Sequence, residues 1–174
     1  MRRRQVGAML FELLVAIGVG TLVVLALVGL TIYSARSFAT LANYIDMNAA
    51  GARAMDTLTR DIRQAVALTS YSTNKLVFDN GTNGASLVFS YDPANRTLIR
   101  EQGGVTNILL TGCDAMQFFI YQRTPMAGTY DQYPAAGATN CKVVSIKWTC
   151  SRTLLGVKST TETDEEAKVV IRKH

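Results

Sequence analysis

The chain is short of the residues from which most active sites are built. Its one histidine, His174, is the last residue. A lone terminal imidazole offers no nucleophile–base–orienter constellation, so no catalytic residue is expected. There are three cysteines, Cys113, Cys141 and Cys150. None stand at CxxC spacing and none has a histidine nearby, which argues against a zinc site. Prolines number three, and the first is Pro93. Nothing before it is compelled to leave a helix. The net charge of +5 is concentrated: Arg2, Arg3 and Arg4 carry three of it, and the remaining two belong to everything after them. No other Lys/Arg run could track phosphates, so no nucleic-acid partner is expected. No glycine-rich phosphate loop precedes a helix, because Gly103-Gly104 falls between strand patterns and reads as a hairpin turn. Asp79, Asn80 and Asn83 could ligate calcium, but turn chemistry explains them better. No metal and no cofactor are expected.

Charge is also missing from residues 8–32, with one exception, Glu12. As a helix this stretch is about 37 Å long, enough for a bilayer core of roughly 30 Å. Secretory signal peptides have apolar regions of only about 7–15 residues. No convincing Ala-x-Ala cleavage site follows this one. The three arginines hold the N-terminus in the cytoplasm and put the rest of the chain outside. A carboxylate inside such a span costs roughly 2.5–3.5 kcal/mol on insertion scales and is by default functional. Gly18, Gly20 and Gly29 interrupt the span, each at a cost of about 1 kcal/mol of helix propensity against alanine. Close helix contact or local loosening is one reading. The general abundance of glycine in membrane helices is the other.

Beyond the span the apolar positions continue as Phe38, Leu41, Ile45, Ala49, Ala52, Met55, Ile62 and Val66, mostly three or four apart. This is the period of an amphipathic helix. Asn43, Asp46, Arg53, Asp56, Arg60 and Arg63 fall on the other face. The spacing predicts one helix from Ala8 to about Leu68, roughly 90 Å long. Polar residues Thr69, Ser70, Ser72 and Thr73 mark its break. Such a rod cannot bury its whole length in its own small domain, so its first half needs lipid or other helices.

Residues 69–174 change to short β-rich runs with turn signals between them. Strands are expected over 75–79, 86–91, 96–101, 105–110, 114–122, 142–150 and 167–172. In the 142–150 run Val144, Ile146 and Trp148 alternate with Ser145, Lys147 and Thr149, as a half-buried strand requires. Residues 124–140 form a long loop carrying Tyr130 and Tyr133. The fold class is therefore α+β, a long N-terminal helix whose second half packs on an antiparallel β head. It divides into a basic leader (1–7), a membrane or filament-core helix (8–32), an amphipathic continuation (33–68) and a β-rich head (69–174). Antiparallel pairing of the two strongest strands brings Cys113 near Cys150 and leaves Cys141 over. Cys113 with Cys141 stands as the alternative disulfide. Either requires an oxidising compartment.

Taken together, Arg2-Arg3-Arg4, Gly7, Ala8-Met9-Leu10-Phe11-Glu12 and the apolar helix after them resemble a type IV pilin-like protein. Leaders of that family are short, basic and end in glycine. The family acid is the fifth residue after the cut, and Glu12 is the fifth counting from Ala8. The chain departs from many members in starting its mature part with alanine rather than Phe or Met. It also has Gly29 where many pilins have proline. Thr59-Arg60-Asp61-Ile62-Arg63-Gln64-Ala65 looks like the J-type minor pseudopilins of type II secretion and their type IV pilus counterparts. Ser90-Tyr91-Asp92-Pro93 through Leu98-Ile99-Arg100 has a similar flavour.

The resemblance implies that a membrane prepilin peptidase cuts between Gly7 and Ala8 and methylates the Ala8 amine. It implies Glu12 as the assembly and register residue, paired with such an amine. The implied partners are other pilin or pseudopilin subunits, the peptidase, an inner-membrane assembly platform, and lipid before assembly. The implied location is the bacterial cytoplasmic membrane, single-pass with the head periplasmic, and then a filament, at or near its tip. A rival reading from another class is a membrane-tethered binding module for a substrate, adhesion or DNA uptake. Its working surface would be the loop at 124–140.

Overall fold

The computed structural model describes residues 3–81, 86–122, 133–154, 157–160 and 165–171. It contains one long helix followed by antiparallel strands, an α+β architecture. The chain divides into two compact units, Met1–Ala42 and Asn43–His174.

The helix, α1, runs Arg3–Gln64. It begins before Ala8 and passes through Gly7, since a single glycine costs only about 1 kcal/mol of propensity. It also stops earlier than the apolar pattern predicts. Ala65 N–H donates to the Asp61 carbonyl at 3.0 Å, a last helical bond. Val66 N–H already donates to the Asp79 carbonyl, 2.9 Å away in a strand. Residues 65–68 are compatible with helix by composition. Pairing with a neighbouring strand overrides that local preference.

From Met9 to Ile32 the large apolar side chains are 45–72% exposed. In the second unit α1 has a buried stripe of Met47, Gly51, Ala54, Leu58, Ile62 and Ala65, at steps of three and four. This corrects the expected face. Phe38, Leu41 and Ile45 are exposed, and so are Ala49 and Ala52. The two stripes diverge where Ala49 and Ala52 stand two residues from Gly51 and Ala54, and they converge toward the end of α1, where Met55 packs against the core and Ile62 is buried. The packing side includes the small residues Gly51 and Ala54, both buried.

After the helix come β1 (Ala67–Ser72), β2 (Lys75–Asp79), β3 (Ser86–Asp92), β4 (Thr97–Gln102) and β5 (Val105–Thr111). They form an antiparallel meander in the order β1-β2-β3-β4-β5. Then follow β6 (Cys113–Gln122), β7 (Tyr133–Pro134), β8 (Val143–Leu154), β9 (Val157–Thr160) and β10 (Glu165–Val170). Their order is β10-β8-β6-β7, with β9 also on β8. A short 3-10 turn, Ala138–Asn140, precedes β8.

Three strands were not expected. β1 buries only Leu68 fully, so its alternation is one residue deep, and its Thr and Ser residues read as a break. β7 has two residues. β9 is four residues, Val-Lys-Ser-Thr, with no alternation to read. The expected strand start at Arg96 is also corrected. Arg96 has φ 55, a left-handed conformation, and belongs to the turn before β4. Asp92 organises that turn: its Oδ1 accepts from Ala94 N–H at 2.9 Å, and its Oδ2 accepts from Asn95 Nδ2 at 2.6 Å.

One core joins the helix stripe to both sheets. The meander contributes Leu76, Phe78, Leu87, Phe89 and Leu98; the second sheet contributes Phe118, Ile120, Val144, Ile146, Trp148 and Val169. Phe78 and Phe89 meet edge to face at 6.3 Å between centroids. Gly112 alone joins the two sheets, since β5 ends at Thr111 and β6 starts at Cys113. Its φ is +76, and a Cβ there would meet the Ser151 carbonyl oxygen at 2.9 Å.

Candidate functional site

Glu12 is exposed on the helix surface. Met9, Leu13 and Ala16 line a shallow apolar depression around it. Met9 and Ala16 are three and four positions from Glu12 and Leu13 is next to it, so helical spacing alone brings them together. Gly7 and Ala8 are both within α1. The side chains of Arg2, Arg3, Arg4 and Ala8 lie outside what the structure describes.

The other polar groups of the span are satisfied locally. Thr21 Oγ1 donates to the Ile17 carbonyl at 2.9 Å, and Thr31 Oγ1 donates to the Leu27 carbonyl at 2.8 Å. Such back-bonding lets a hydroxyl sit on an apolar helix without another partner. Glu12 has no equivalent route, because a carboxylate accepts and does not donate. Cβ atoms built at Gly18, Gly20 and Gly29 would meet nothing within 4 Å. Packing within this chain therefore does not require these glycines.

The head carries three polar fastenings. Asp61, on the last turns of α1, accepts from Arg100 Nε on β4 at 2.6 Å. The side chains are 11% and 17% exposed, so this pair is largely withdrawn from water. Gln102 holds the far side of the same guanidinium through Nη2. The sequence reading noted Asp61 and Arg100 only as parts of motifs. Two residues 39 positions apart give no local signal of pairing. Arg152 on β8 donates to Asn43 Oδ1 at 3.3 Å, a second tie from strand to helix. By contrast, Asp56 and Arg60, four apart on the helix, pair at 3.8 Å but are exposed. It contributes at most a few tenths of a kcal/mol.

The third fastening is Arg96. Its Nη2 donates to the Gly112 carbonyl at 3.1 Å, the Ser151 carbonyl at 3.2 Å and Ser151 Oγ at 2.9 Å. The same nitrogen pairs with the Asp114 carboxylate. Arg96 O accepts from Cys113 N–H at 3.0 Å. One turn of the meander is thereby tied to both central strands of the second sheet. Tyr91 O–H donates to the Cys113 carbonyl at 2.9 Å. Burial pushes the Tyr91 phenol above its ordinary value.

Inside this frame Cys113 stands opposite Cys150, and their sulfurs are 3.1 Å apart. Cys141 lies toward the other end of the β6–β8 ladder, where Lys142 N–H donates to the Tyr121 carbonyl. Eight residues of strand separate Cys113 from Tyr121, roughly 25 Å. Burial pushes the Cys141 thiol up to about 11.

Of the suggested calcium ligands, Asp79 uses Oδ1 to accept from Gly81 N–H at 2.9 Å, as turn chemistry predicts. Asn83 lies outside the described residues. Tyr130 and most of the loop at 124–140 also lie outside them, while Tyr133 forms part of β7. Gly103 and Gly104, at φ 58 and 80, make the β4–β5 hairpin turn.

No family's sequence profile matches the chain, and no curated protein is significantly similar to it. Among the described residues, one helix is long and apolar enough to cross a membrane, a candidate single span near the N-terminus.

Proposed function

We propose that this chain is a minor pilin-like structural subunit of a type II secretion pseudopilus or type IV pilus. It is cut by a prepilin peptidase between Gly7 and Ala8, methylated on the Ala8 amine, and assembled through its N-terminal helix at or near the tip. One observation carries the reading: an exposed apolar helix surface from Met9 to Ile32 with Glu12 as its only charge. That surface needs lipid first and other helices later.

The cut supplies what Glu12 lacks. It removes the three leader arginines and creates a cationic amine at the start of the apolar helix. A methylated secondary amine keeps its charge. In a helix-packed core with little water, an unpaired carboxylate is expensive and a paired one is tolerable. Pairing Glu12 with the Ala8 amine of a neighbouring subunit fixes register, because any other alignment leaves two charges unmatched.

Mass spectrometry of the mature N-terminus tests the processing step. The expected first residue is N-methyl-Ala8, and a chain retaining Met1 in a filament-forming host overturns the reading. Glu12→Gln and Glu12→Ala are expected to be cut normally but to stay in the membrane fraction. Recovery of both variants in filaments at parental levels would sink the register role.

A further inference from the structure

We propose that Cys113 and Cys150 form a cross-strand disulfide installed while the head folds, and that the finished fold then seals it from exchange. Cys141 is the cysteine left out.

The backbone selects the pair. Cys113 and Cys150 are direct partners in the β6–β8 register. Ser151 N–H donates to the Gly112 carbonyl at 2.8 Å, a bond between the two residues that flank this pair. That places the cysteines at a non-hydrogen-bonded position, where Cα atoms approach to about 4.5 Å and side chains are closest. Disulfides need Cα atoms about 4.4–6.8 Å apart. The sulfurs, at 3.1 Å, already face each other. Arg96 clamps both sides, holding Gly112 and Asp114 next to Cys113, and Ser151 next to Cys150. Cys141, roughly 25 Å along the ladder, cannot reach Cys113 while β6 and β8 stay paired.

Burial sets the order of events. In the folded head Cys113 is 0% and Cys150 8% exposed. An incoming disulfide must reach a sulfur in line, and the attacking species is a thiolate. The hydrogen bond to Cys150, and then burial, hold the Cys113 thiol well above its ordinary range. Both access and ionisation therefore favour reaction before the sheet closes. The oxidant is an external disulfide, either glutathione disulfide or a disulfide-bonded thiol oxidoreductase. One cysteine thiolate attacks it and expels a thiolate, giving a mixed disulfide. The second cysteine thiolate then attacks the bonded sulfur of its partner and expels the other half of the oxidant. The chain loses two protons and two electrons, and the oxidant gains them as two thiols.

The full chain in detergent micelles is denatured, reduced, and refolded in a glutathione/glutathione disulfide buffer. Alkylation after a second denaturation, with mass spectrometry, counts the remaining thiols. One alkylated cysteine, Cys141, is expected, with a peptide cross-link joining Cys113 to Cys150. Three alkylated cysteines, or a cross-link through Cys141, overturns the pairing. Oxidation of the folded, reduced chain in the same buffer is expected to be at least tenfold slower than oxidation during refolding. Equal rates overturn the sealing. Thiol trapping in intact cells additionally relies on the proposed export of the head. A chain that pairs on refolding but keeps three thiols in cells refutes that export and leaves the pairing supported.

Discussion

At the scale of single residues, Gly112 carries the heaviest constraint. It has a left-handed φ and sits against the Ser151 carbonyl at the only step between the sheets. An alanine there meets both a conformational penalty of roughly 1–2 kcal/mol and a backbone clash. Gly112→Ala is expected to lower head stability by about 2–4 kcal/mol, read as a shifted urea midpoint. Gly103→Ala meets no neighbour within 4 Å and should show only the smaller conformational part. Two titrating groups predict an alkaline limb. Burial raises the Tyr91 phenol and holds the Cys141 thiol near 11 against an ordinary 9.0. Folding thus favours their protonated forms. The stability they contribute is complete below the unfolded pKa and is lost as pH rises through the folded one. Between pH 9 and 11 the parent is expected to lose more stability than Cys141→Ala. Parallel urea curves for the two across that window would show that Cys141 does not contribute.

At the scale of elements, the decisive pairing is α1 with β4 through Asp61 and Arg100. Both side chains are largely buried, so removing one leaves the other as an uncompensated charge. Asp61→Ala is expected to cost about 3 kcal/mol, and Asp61→Ala with Arg100→Met to recover much of it. If the double variant is as unstable as the sum of the singles, the two residues are not coupled. The exposed Asp56–Arg60 pair offers a control, with no measurable cost on Asp56→Ala. The helix stripe makes a similar contrast. Leu58→Ala opens a cavity in the core and is expected to cost about 2–5 kcal/mol. Phe38→Ala, on the exposed side, should leave monomer stability within about 0.5 kcal/mol. Any loss from Phe38→Ala in a filament would report contact with a neighbouring subunit.

Elements also show where sequence patterning runs out. The strands β2, β3 and β6 are legible because burial alternates with the pleat along them, and β8 is legible by its apolar alternation in sequence although Val143, Val144, Ser145 and Ile146 are all buried. β1 and β9 were not, because each draws its stability from the strand beside it. The buried helix stripe is hard to read for a related reason. Large apolar residues announce themselves, while the small Gly51 and Ala54 on the packing face carry little hydrophobic signal.

At the scale of the whole molecule, the chain carries two apolar surfaces with different destinations. One lies inside the head and is covered by the chain itself. The other, from Met9 to Ile32, is exposed and makes the helix a candidate membrane span. A truncated head beginning at Asn43 retains the buried stripe from Met47 onward. It is expected to fold without detergent and to unfold cooperatively, as circular dichroism would show. In that head, linking cysteines 37 positions apart should add about 4 kcal/mol on the chain-entropy model. A reduced and an oxidised sample of equal stability would contradict it.

The local sequence was enough to determine the long helix, the span with its single acid, and most strands of the head. Each depends on a short-range period, 3.6 or 2, that neighbours along the chain can reveal. Only the tertiary structure decided which helix face is buried, where α1 stops, that Asp61 meets Arg100, and that Cys150 rather than Cys141 stands opposite Cys113, the first of the two pairings the strand pattern offers. These are contacts between residues distant in sequence. Their energies arise from burial and register, which no local pattern encodes.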